Sequence, residues 1–434
     1  MKIRLKILLI CSLLISSTVS AFLGLILTNT QNPIYDNLKM SQANYKTTMV
    51  WSYCIGNDHT AAITISADGN YIVALGGDNK VYLFDNSPSS TKIPLWTFTH
   101  SDYLADVEMT SDGSSFIVSA HDGSVFYFDR SSSTPIWSND IGSWVYSVDI
   151  SSNGTYMVAG GGETELLNNG SSTPQWGFNI GGGELYLDVD MDSAGNYLVS
   201  GANDGHCYLF HRSSSTPIWA FTKPSDEDPS KVSISSDGNF IAVGLQENGN
   251  ELYFFNRSSN VPIWSYATSN EIISLDLSQD GKYIIAGDHS YLYFFNSFKS
   301  TPLWTKGMSV GNQPLSVVTS YNGSIIAMES ITGYLHLYRK YSSNPYWRYK
   351  LDGDGINNND PIAISDNGKY IAATGDNCFY LFKNIRGSDQ IIPFGNYYLI
   401  FLIISLICVI VVLGKKSFVK KNQNKKTKYN YFYF

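Results

Sequence analysis

Residues 107–137 read VEMTSDGSSFIVSAHDGSVFYFDRSSSTPIW, and this stretch decides the fold because it contains one complete structural repeat. Its short apolar runs are separated by the turn sequences Asp112-Gly113 and Asp122-Gly123. Asp-Gly between such runs is a strong β-hairpin signal, since glycine tolerates the positive φ that tight turns require. The stretch therefore predicts three consecutive strands, which we call a, b and c. A Ser/Thr/Pro turn follows them and leads to a fourth strand, d, at Trp137.

The tryptophan that opens strand d recurs along the chain at intervals of 39 to 45 residues. Seven of the eight copies close a Pro-Xaa-Trp tripeptide. The eight are Trp51, Trp96, Trp137, Trp176, Trp219, Trp264, Trp304 and Trp347. A period of this length with four strands per unit is typical of a β-propeller.

The order of the strands predicts how the ring closes. The chain begins with a lone strand d at about 50–55 and ends with strands a, b and c at 362–383. Pairing the first strand with the last three leaves no bare sheet edge at either end. The predicted fold class is therefore all-β, an eight-bladed β-propeller of four-stranded blades that spans residues 49–383.

The repeat resembles the WD-repeat and the pyrroloquinoline-quinone-type propeller repeats. The shared features are the Ser-Xaa-Asp-Gly turn of 66–69, an aromatic strand c that ends as Phe128-Asp129, and the tryptophan of the next unit. The resemblance covers about residues 49–383 and implies a fold rather than a function. The Trp-Asp dipeptide of true WD repeats is Phe-Asp or Phe-Asn here, and the vicinal cysteine pair of many quinone-dependent dehydrogenases is missing. No cofactor is therefore expected.

Both ends of the chain carry long apolar segments. A basic start followed by an apolar run predicts a signal peptide or a retained signal anchor at 1–28, with a linker at 29–48. After a second linker at 384–396, residues 397–413 are free of charge and nearly long enough for a transmembrane helix. Residues 414–434 form a lysine-rich tail.

The lysines of the tail predict the membrane topology. By the positive-inside rule the tail is cytoplasmic and the propeller extracytoplasmic. We therefore expect a cell-membrane protein anchored in the lipid bilayer by its C-terminal helix. It crosses the membrane once, or twice if the N-terminal segment is retained.

The charge between the two ends argues against nucleic acid as a partner. Ten of the 29 basic residues lie in the two terminal segments, which contain no acid. The remaining 19 bases stand against 37 acids, a net charge of −18. A nucleic-acid-binding surface needs a basic stripe, and none exists outside the tail.

Two cysteines align across the closing blade. Aligning the sequences of the first strand d and the last strand c with the hairpin 124–140 puts Cys54 opposite Cys378. A disulfide between them would fasten the ring, although two unrelated core thiols remain an alternative. Cys207 has no evident partner and is expected to be buried.

The strand order assigns the turns to two faces. The b–c and d–a turns lie on one face, the top, and the a–b and c–d turns on the other, the bottom. Top turns are acid-rich, with acids at Asp58, Asp78, Asp102, Asp122, Glu184, Asp204, Glu247, Glu271, Asp288 and Asp376.

One top loop, 352–360, loosely resembles a calcium-binding loop because Asp352, Asp354, Asn357 and Asp360 offer oxygen ligands. An Asp/Asn-rich turn without metal is the alternative.

The bottom turns carry four Asn-Xaa-Ser/Thr sequences, at Asn153, Asn169, Asn256 and Asn322. In an exported protein these are candidate glycosylation sites, although turns also favour Asn and Ser for their own reasons. The c–d turns hold basic residues at Arg130, Arg212, Arg257, Lys299 and Arg339. These either meet lipid phosphates or balance nearby aspartates.

Four inner strands have a carboxylate between two apolar residues, at Glu108, Asp149, Asp190 and Asp276. Structural hydrogen bonds near the channel are the favoured interpretation, with a functional acidic ring as the alternative.

The chain has no recognisable catalytic motif. We therefore expect an interaction scaffold whose acidic top face receives a protein or a glycan. A hydrolase or lyase at the channel mouth and a structural cell-surface component are the alternatives.

Overall fold

The computed structural model of the protein describes residues 45–56, 59–89, 91–179, 188–222, 229–245, 250–352 and 362–386. All regular secondary structure in these residues is β-strand, arranged as eight four-stranded sheets. None of the described residues belongs to a helix long and apolar enough to span a bilayer. The predicted signal segment, transmembrane helix and tail lie outside the described residues.

Blades 1 to 4 are each built from four consecutive strands. Blade 1 comprises β2 (Thr60–Ile65), β3 (Tyr71–Gly76), β4 (Lys80–Asp85) and β5 (Trp96–Thr99). Blade 2 comprises β6 (Leu104–Met109), β7 (Ser115–Ala120), β8 (Ser124–Asp129) and β9 (Trp137–Asp140). Blade 3 comprises β10 (Ser147–Ile150), β11 (Tyr156–Gly160), β12 (Glu163–Asn168) and β13 (Ser171–Asn179). Blade 4 comprises β14 (Asp188–Met191), β15 (Tyr197–Gly201), β16 (His206–His211) and β17 (Trp219–Thr222).

Blades 5 to 7 repeat this order, and blade 8 combines both ends of the ring. Blade 5 comprises β18 (Pro229–Ile234), β19 (Phe240–Leu245), β20 (Glu251–Asn256) and β21 (Trp264–Ala267). Blade 6 comprises β22 (Ile272–Leu277), β23 (Tyr283–Asp288), β24 (Tyr291–Asn296) and β25 (Trp304–Gly307). Blade 7 comprises β26 (Pro314–Thr319), β27 (Ile325–Ser330), β28 (Tyr334–Arg339) and β29 (Ser342–Lys350). Blade 8 comprises β30 (Ile362–Ile364), β31 (Tyr370–Thr374), β32 (Cys378–Arg386) and β1 (Tyr45–Cys54).

The burial of the strands follows from their place between neighbouring blades. Every residue of β7 is buried, because both faces of a central strand pack against other blades. The outer strand β9 alternates between half-buried and exposed residues. Trp96 of blade 1 packs on Phe116 and Phe128 of blade 2, with ring centroids 5.7 and 5.8 Å apart. The apolar cores thus lie between blades, which is why the ring needs all eight.

Ring closure occurs in blade 8, as the strand count predicts. Strand β1 pairs with β32 at the outer edge, and Trp51 is buried against Phe84 of blade 1. Cys54 and Cys378 form the disulfide expected from the repeat alignment, with their Cα atoms 4.0 Å apart. Cys207 is a buried free thiol. The strands extend beyond the predicted range of 49–383, since β1 begins at Tyr45 and β32 ends at Arg386.

A closed ring of main-chain hydrogen bonds joins the blades beside the a–b turns. Each step carries one N–H···O bond of 2.9 to 3.2 Å from one blade to the next. The last step, from the Asp366 N–H to the Ala67 carbonyl at 3.0 Å, joins blade 8 to blade 1. The participating residues are Ala67, Ser111, Ser152, Ser193, Ser236, Gln279, Asp280, Tyr321 and Asp366. This ring fixes the register between blades independently of their side chains.

The glycine of the a–b turn meets two requirements at once. Gly69 has a φ of 76°, which suits a residue without a Cβ. A Cβ at Gly69 would also lie 2.3 Å from the ring of Tyr370 in blade 8. Gly323 repeats the arrangement, with a φ of 65° and a Cβ position 2.8 Å from Tyr283 of the preceding blade. The Asp/Asn-Gly signal therefore reports packing between blades as well as a hairpin.

The repeated tryptophan also links neighbouring blades. The Trp219 indole N–H donates to the carbonyl of Arg257 in the next blade at 2.8 Å. The Arg257 guanidinium in turn lies 4.0 Å from the ring centroid of Tyr197, a cation–π contact. Five of the eight steps have the same indole bond, donated by Trp96, Trp176, Trp219, Trp264 and Trp304. Through its carbonyl and its guanidinium, Arg257 thus has a structural role between blades that the sequence did not predict.

Candidate functional site

The central channel is lined by the inner strands of the blades. Its lower part encloses about 420 Å³, into which Glu108, Asp149, Asp190 and Asp276 all project. A second part of about 260 Å³ adds Asp106 and Asp188 together with Lys231. The period-two pattern of the inner strands is what brings these carboxylates to the channel surface.

The channel carboxylates are used to join neighbouring blades. Asp149 accepts the Met191 N–H of the next blade at 2.7 Å, and Asp190 accepts the Ile234 N–H at 2.7 Å. Three further aspartates accept a main-chain N–H of the next blade. Asp106 accepts from Val148, Asp188 from Val232 and Asp276 from Thr319. Glu108 accepts the Thr64 hydroxyl of the preceding blade at 3.0 Å. The structural interpretation of the inner-strand carboxylates is therefore the one that these contacts support.

Crowding of the channel carboxyls raises their pKa values. Asp149 and Asp190 are hydrogen-bonded to each other. Burial, together with the charges of Asp190 and Glu108, raises the pKa of Asp149 well above its ordinary value. Burial also raises the pKa of Asp190 and that of Asp276 to about 6. The pair therefore takes up a proton more readily than two solvated carboxylates would.

Acidic and histidine side chains of the described residues do not cluster as metal ligands would. No three His, Cys, Asp or Glu side chains of that part of the chain are placed to hold a metal ion. Asp352, from the loop predicted to bind calcium, accepts the Asn377 N–H at 2.9 Å and the Tyr380 hydroxyl at 2.8 Å. Asp354, Asn357 and Asp360 lie outside the described residues. Asp352 thus fastens its loop to blade 8.

Histidines on the top face are paired with the top acids, which the sequence did not suggest. His100 lies 2.8 Å from Asp122 of the next blade. His59 pairs with Asp376 at 2.6 Å, and His289 with Glu271 at 2.8 Å. The sequence placed these histidines in different units, and only folding brings each one beside its acid.

The top acids differ in how far they face solvent. Asp288 is fully buried at the top of blade 6 and accepts the Tyr293 hydroxyl at 2.8 Å, so it adds nothing to the exposed acidic surface. Asp78 is bound by Lys80 and by the Tyr82 hydroxyl, each at 2.5 to 2.6 Å. Asp102, Asp122 and Asp140 remain exposed at the top of blades 2 and 3. Asp58, Glu184 and Glu247 lie outside the described residues.

An aromatic cluster at the top of blades 2 and 3 was missed by sequence reasoning. Trp144 is 47% exposed although the His121 ring stacks on it, with centroids 5.3 Å apart and planes at 10°. Tyr146 meets Trp144 edge-on at 5.9 Å, and Tyr103 contacts His121 at 4.9 Å. We call these four residues the aromatic platform. The signal that could have revealed it is that Trp144 is the one tryptophan of nine outside the period.

The candidate glycosylation sites all lie in bottom turns of the structure. Asn153, Asn169 and Asn322 are exposed, and Asn256 is half-buried. Asn256 accepts the N–H and hydroxyl of Ser258 through its side-chain oxygen, which leaves its amide nitrogen free of that contact. The geometry is compatible with a glycan at each position.

Comparison with known proteins adds no closer identity. No family model matches the chain, and no curated protein is significantly similar to it. The fold therefore defines the class, an eight-bladed β-propeller, and the function must be argued from its surfaces.

One buried carboxyl offers a test of the packing between blades 7 and 8. Glu329 is fully buried, and neither carboxylate oxygen has a hydrogen-bond partner among the described residues. Burial raises the pKa of Glu329 well above its ordinary value, despite the opposing charge of Lys350. Leu75 occupies the same repeat position in blade 1, six residues after the turn glycine.

We expect Glu329→Leu to raise the free energy of unfolding by about 1–3 kcal/mol, because it removes a buried polar group that has no partner. Urea denaturation at pH 7.5 measures the change. Glu108→Leu is the matched control and should destabilise, since the Glu108 carboxylate is bonded to Thr64. A less stable Glu329→Leu variant would contradict this account of the site.

Proposed function

We propose that the protein is a membrane-anchored, extracytoplasmic interaction module whose bottom face points to the bilayer and whose top face receives a partner. The supporting observation is the uneven distribution of exposed apolar side chains. Of the fifteen large exposed hydrophobic residues in the described part of the chain, three lie at the top, namely Trp144, Tyr291 and Val310. Eleven lie in bottom turns or at the lower end of β32, namely Ile93, Leu95, Ile136, Ile218, Val261, Ile263, Phe298, Leu303, Tyr321, Tyr341 and Ile385.

The ends of the described chain support the same orientation. Strand β1 rises from Tyr45 and β32 descends to Arg386, and the Thr47 hydroxyl bonds to Asn384 at 3.2 Å near their lower ends. Both ends therefore leave the propeller at the bottom. Ten residues separate Arg386 from the apolar segment 397–413, and ten residues span at most about 35 Å. A bilayer that holds this segment would therefore lie near the bottom face.

The charges of the two faces suit a bilayer below the bottom face and a partner at the top face. Bottom c–d turns carry basic residues that complement anionic lipid head groups, namely Arg130, Arg212, Arg257, Lys299, Arg339 and Lys340. The top turns carry the exposed acids described above. We favour binding over catalysis because the channel carboxylates are already bonded between blades, where they hold the ring together.

The orientation can be measured on the full chain in liposomes. Ser309→Cys at the top and Ser300→Cys at the bottom are both exposed positions and form a matched pair. A donor dye at Ser300→Cys should transfer more energy to acceptor-labelled lipids than one at Ser309→Cys. In cells, both cysteines should react with a membrane-impermeant maleimide without permeabilisation. Equal transfer from both positions, or labelling only after permeabilisation, would overturn the proposal.

A further inference from the structure

The aromatic platform formed by Tyr103, His121, Trp144 and Tyr146 is held rigidly by the neighbouring blade. The Gly162 N–H donates to the Ser143 hydroxyl at 2.7 Å. A Cβ at Gly161 would lie 2.3 Å from the Trp144 carbonyl oxygen, so the main chain of blade 3 approaches closely there. At Gly142, a Cβ would have nothing within 4 Å, and Trp144 itself is 47% exposed. The indole is therefore fixed in place before any ligand binds.

The surroundings of the platform are strongly acidic. Between residues 101 and 187 the chain has eleven acids and a single basic residue, Arg130. Arg130, Asp112 and Asp129 lie at the bottom, and Asp106, Glu108 and Asp149 line the channel. Asp102, Asp122 and Asp140 are exposed at the top of blades 2 and 3. Burial lowers the pKa of His121, so the ring that backs the Trp144 indole carries no charge at neutral pH. A cation that approaches this surface therefore meets carboxylates and an aromatic face but no fixed positive charge.

We propose that the aromatic platform binds a lysine or arginine side chain of an extended basic protein segment. The cation would lie over the free face of Trp144, where a cation–π contact adds to attraction by the exposed carboxylates. Tryptophan is the aromatic residue best suited to that contact. This inference rests on the proposed function, because it needs the top face to be open to a partner.

The distribution of apolar groups favours a basic segment over other partners. Tyr291 lies in blade 6 and Val310 in the connection between blades 6 and 7, so neither is beside Trp144. A protein partner that bound through an apolar core would need a contiguous apolar patch, and the described top residues provide none. Exposed carboxylates and one exposed indole at the top of blades 2 and 3 instead match a positively charged chain with few apolar anchors.

The proposal can be tested by fluorescence anisotropy with the full chain in nanodiscs of zwitterionic lipid. The probe is a fluorescein-labelled (Gly-Lys)4 peptide, compared with the same peptide acetylated on every lysine. We expect saturable binding of the unmodified peptide that weakens as salt rises, and at least a tenfold loss for the acetylated peptide. Trp144→Ala should weaken binding at least tenfold, whereas Tyr291→Ala, a matched exposed aromatic of the top face, should leave it unchanged.

A second variant is needed because Trp144→Ala could disturb the local fold as well as remove the binding face. Asp102→Asn changes one exposed carboxylate and should weaken peptide binding about threefold with a shallower salt dependence. Equal binding of the acetylated peptide, or no effect of both Trp144→Ala and Asp102→Asn, would overturn the proposal. Binding of chitotetraose without binding of the lysine peptide would overturn it in favour of a glycan. The dye measurement of orientation is separate, so peptide binding with a reversed orientation would refute only the proposed function.

Discussion

Replacing both Cys54 and Cys378 with serine is expected to lower the free energy of unfolding by about 5 kcal/mol. The disulfide spans 324 residues, and cross-linking so long a loop removes much conformational entropy from the unfolded chain. It also joins β1 to β32 in blade 8. These two paired strands come from opposite ends of the propeller sequence, so no loop connects them. Denaturation in guanidinium chloride without reductant measures the loss, and hydrogen exchange should quicken first in β1 and β32.

Cys207→Ser provides the matched control for this experiment. Its thiol is buried but forms no disulfide, so the substitution should cost about 1 kcal/mol and should not speed exchange in β1. Wild-type protein in dithiothreitol should behave like the double serine variant. A double variant within 1 kcal/mol of the oxidised wild type would show that strand pairing alone closes the ring.

The channel carboxyls should make the propeller respond to pH. The pKa of Asp190 and that of Asp276 are about 6, raised by burial from 3.8, so the folded protein holds protons that the unfolded chain releases. Their stabilising contribution is complete below about pH 4 and is lost as the pH rises through 6. Between pH 8 and pH 5 each carboxyl should therefore add roughly 1.4 kcal/mol to the free energy of unfolding.

Other groups titrate in the same range, so the comparison with a variant is essential. Burial lowers the pKa of His336 to about 4, which destabilises the folded state as the pH falls below 6.5. Burial raises the pKa of Glu165 to about 7 and acts in the opposite direction. The Asp190→Asn/Asp276→Asn double variant should lose about 3 kcal/mol of the stability that the wild type gains from pH 8 to pH 5.

Urea denaturation at pH 5 and at pH 8 provides this comparison. Asp129→Asn is the control, because hydrogen bonds from Ser131 lower the pKa of Asp129 and it stays ionised throughout this range. The wild type and the double variant would have the same pH difference if the channel carboxyls were freely hydrated, and that result would refute the explanation.

Much of the fold was predictable because each repeat specifies the same local structure. The Asp/Asn-Gly turns, the aromatic strand c and the periodic tryptophan occur in register, so strands could be counted without knowing any distance. The same register placed Cys54 opposite Cys378, and the structure contains that bond. The inner-strand carboxylates were assigned to structural hydrogen bonds, and the bonds of Asp149 and Asp190 agree.

The candidate site was less predictable because it breaks the repeat. Trp144 has no counterpart in the other units, and its stacking on His121 depends on how two loops of neighbouring blades meet. The burial of Asp288 could not be read from its turn alone, since two of its four main-chain donors, Ser269 and Asn270, come from a different loop. Charge counting identified an acidic face but not which acids remain exposed.

The sequence by itself determined the number of blades and the strand order, and it placed Cys54 opposite Cys378. These depend on periodicity, which is a local property repeated eight times. The tertiary structure alone decided what each recurrent residue does between blades. The Trp219 indole bonds to the next blade, the Gly69 turn rests on Tyr370, and Trp144 lies open beside exposed acids. Such contacts join residues about forty or more positions apart, or loops outside the repeat, and their distances follow from the packing of whole blades.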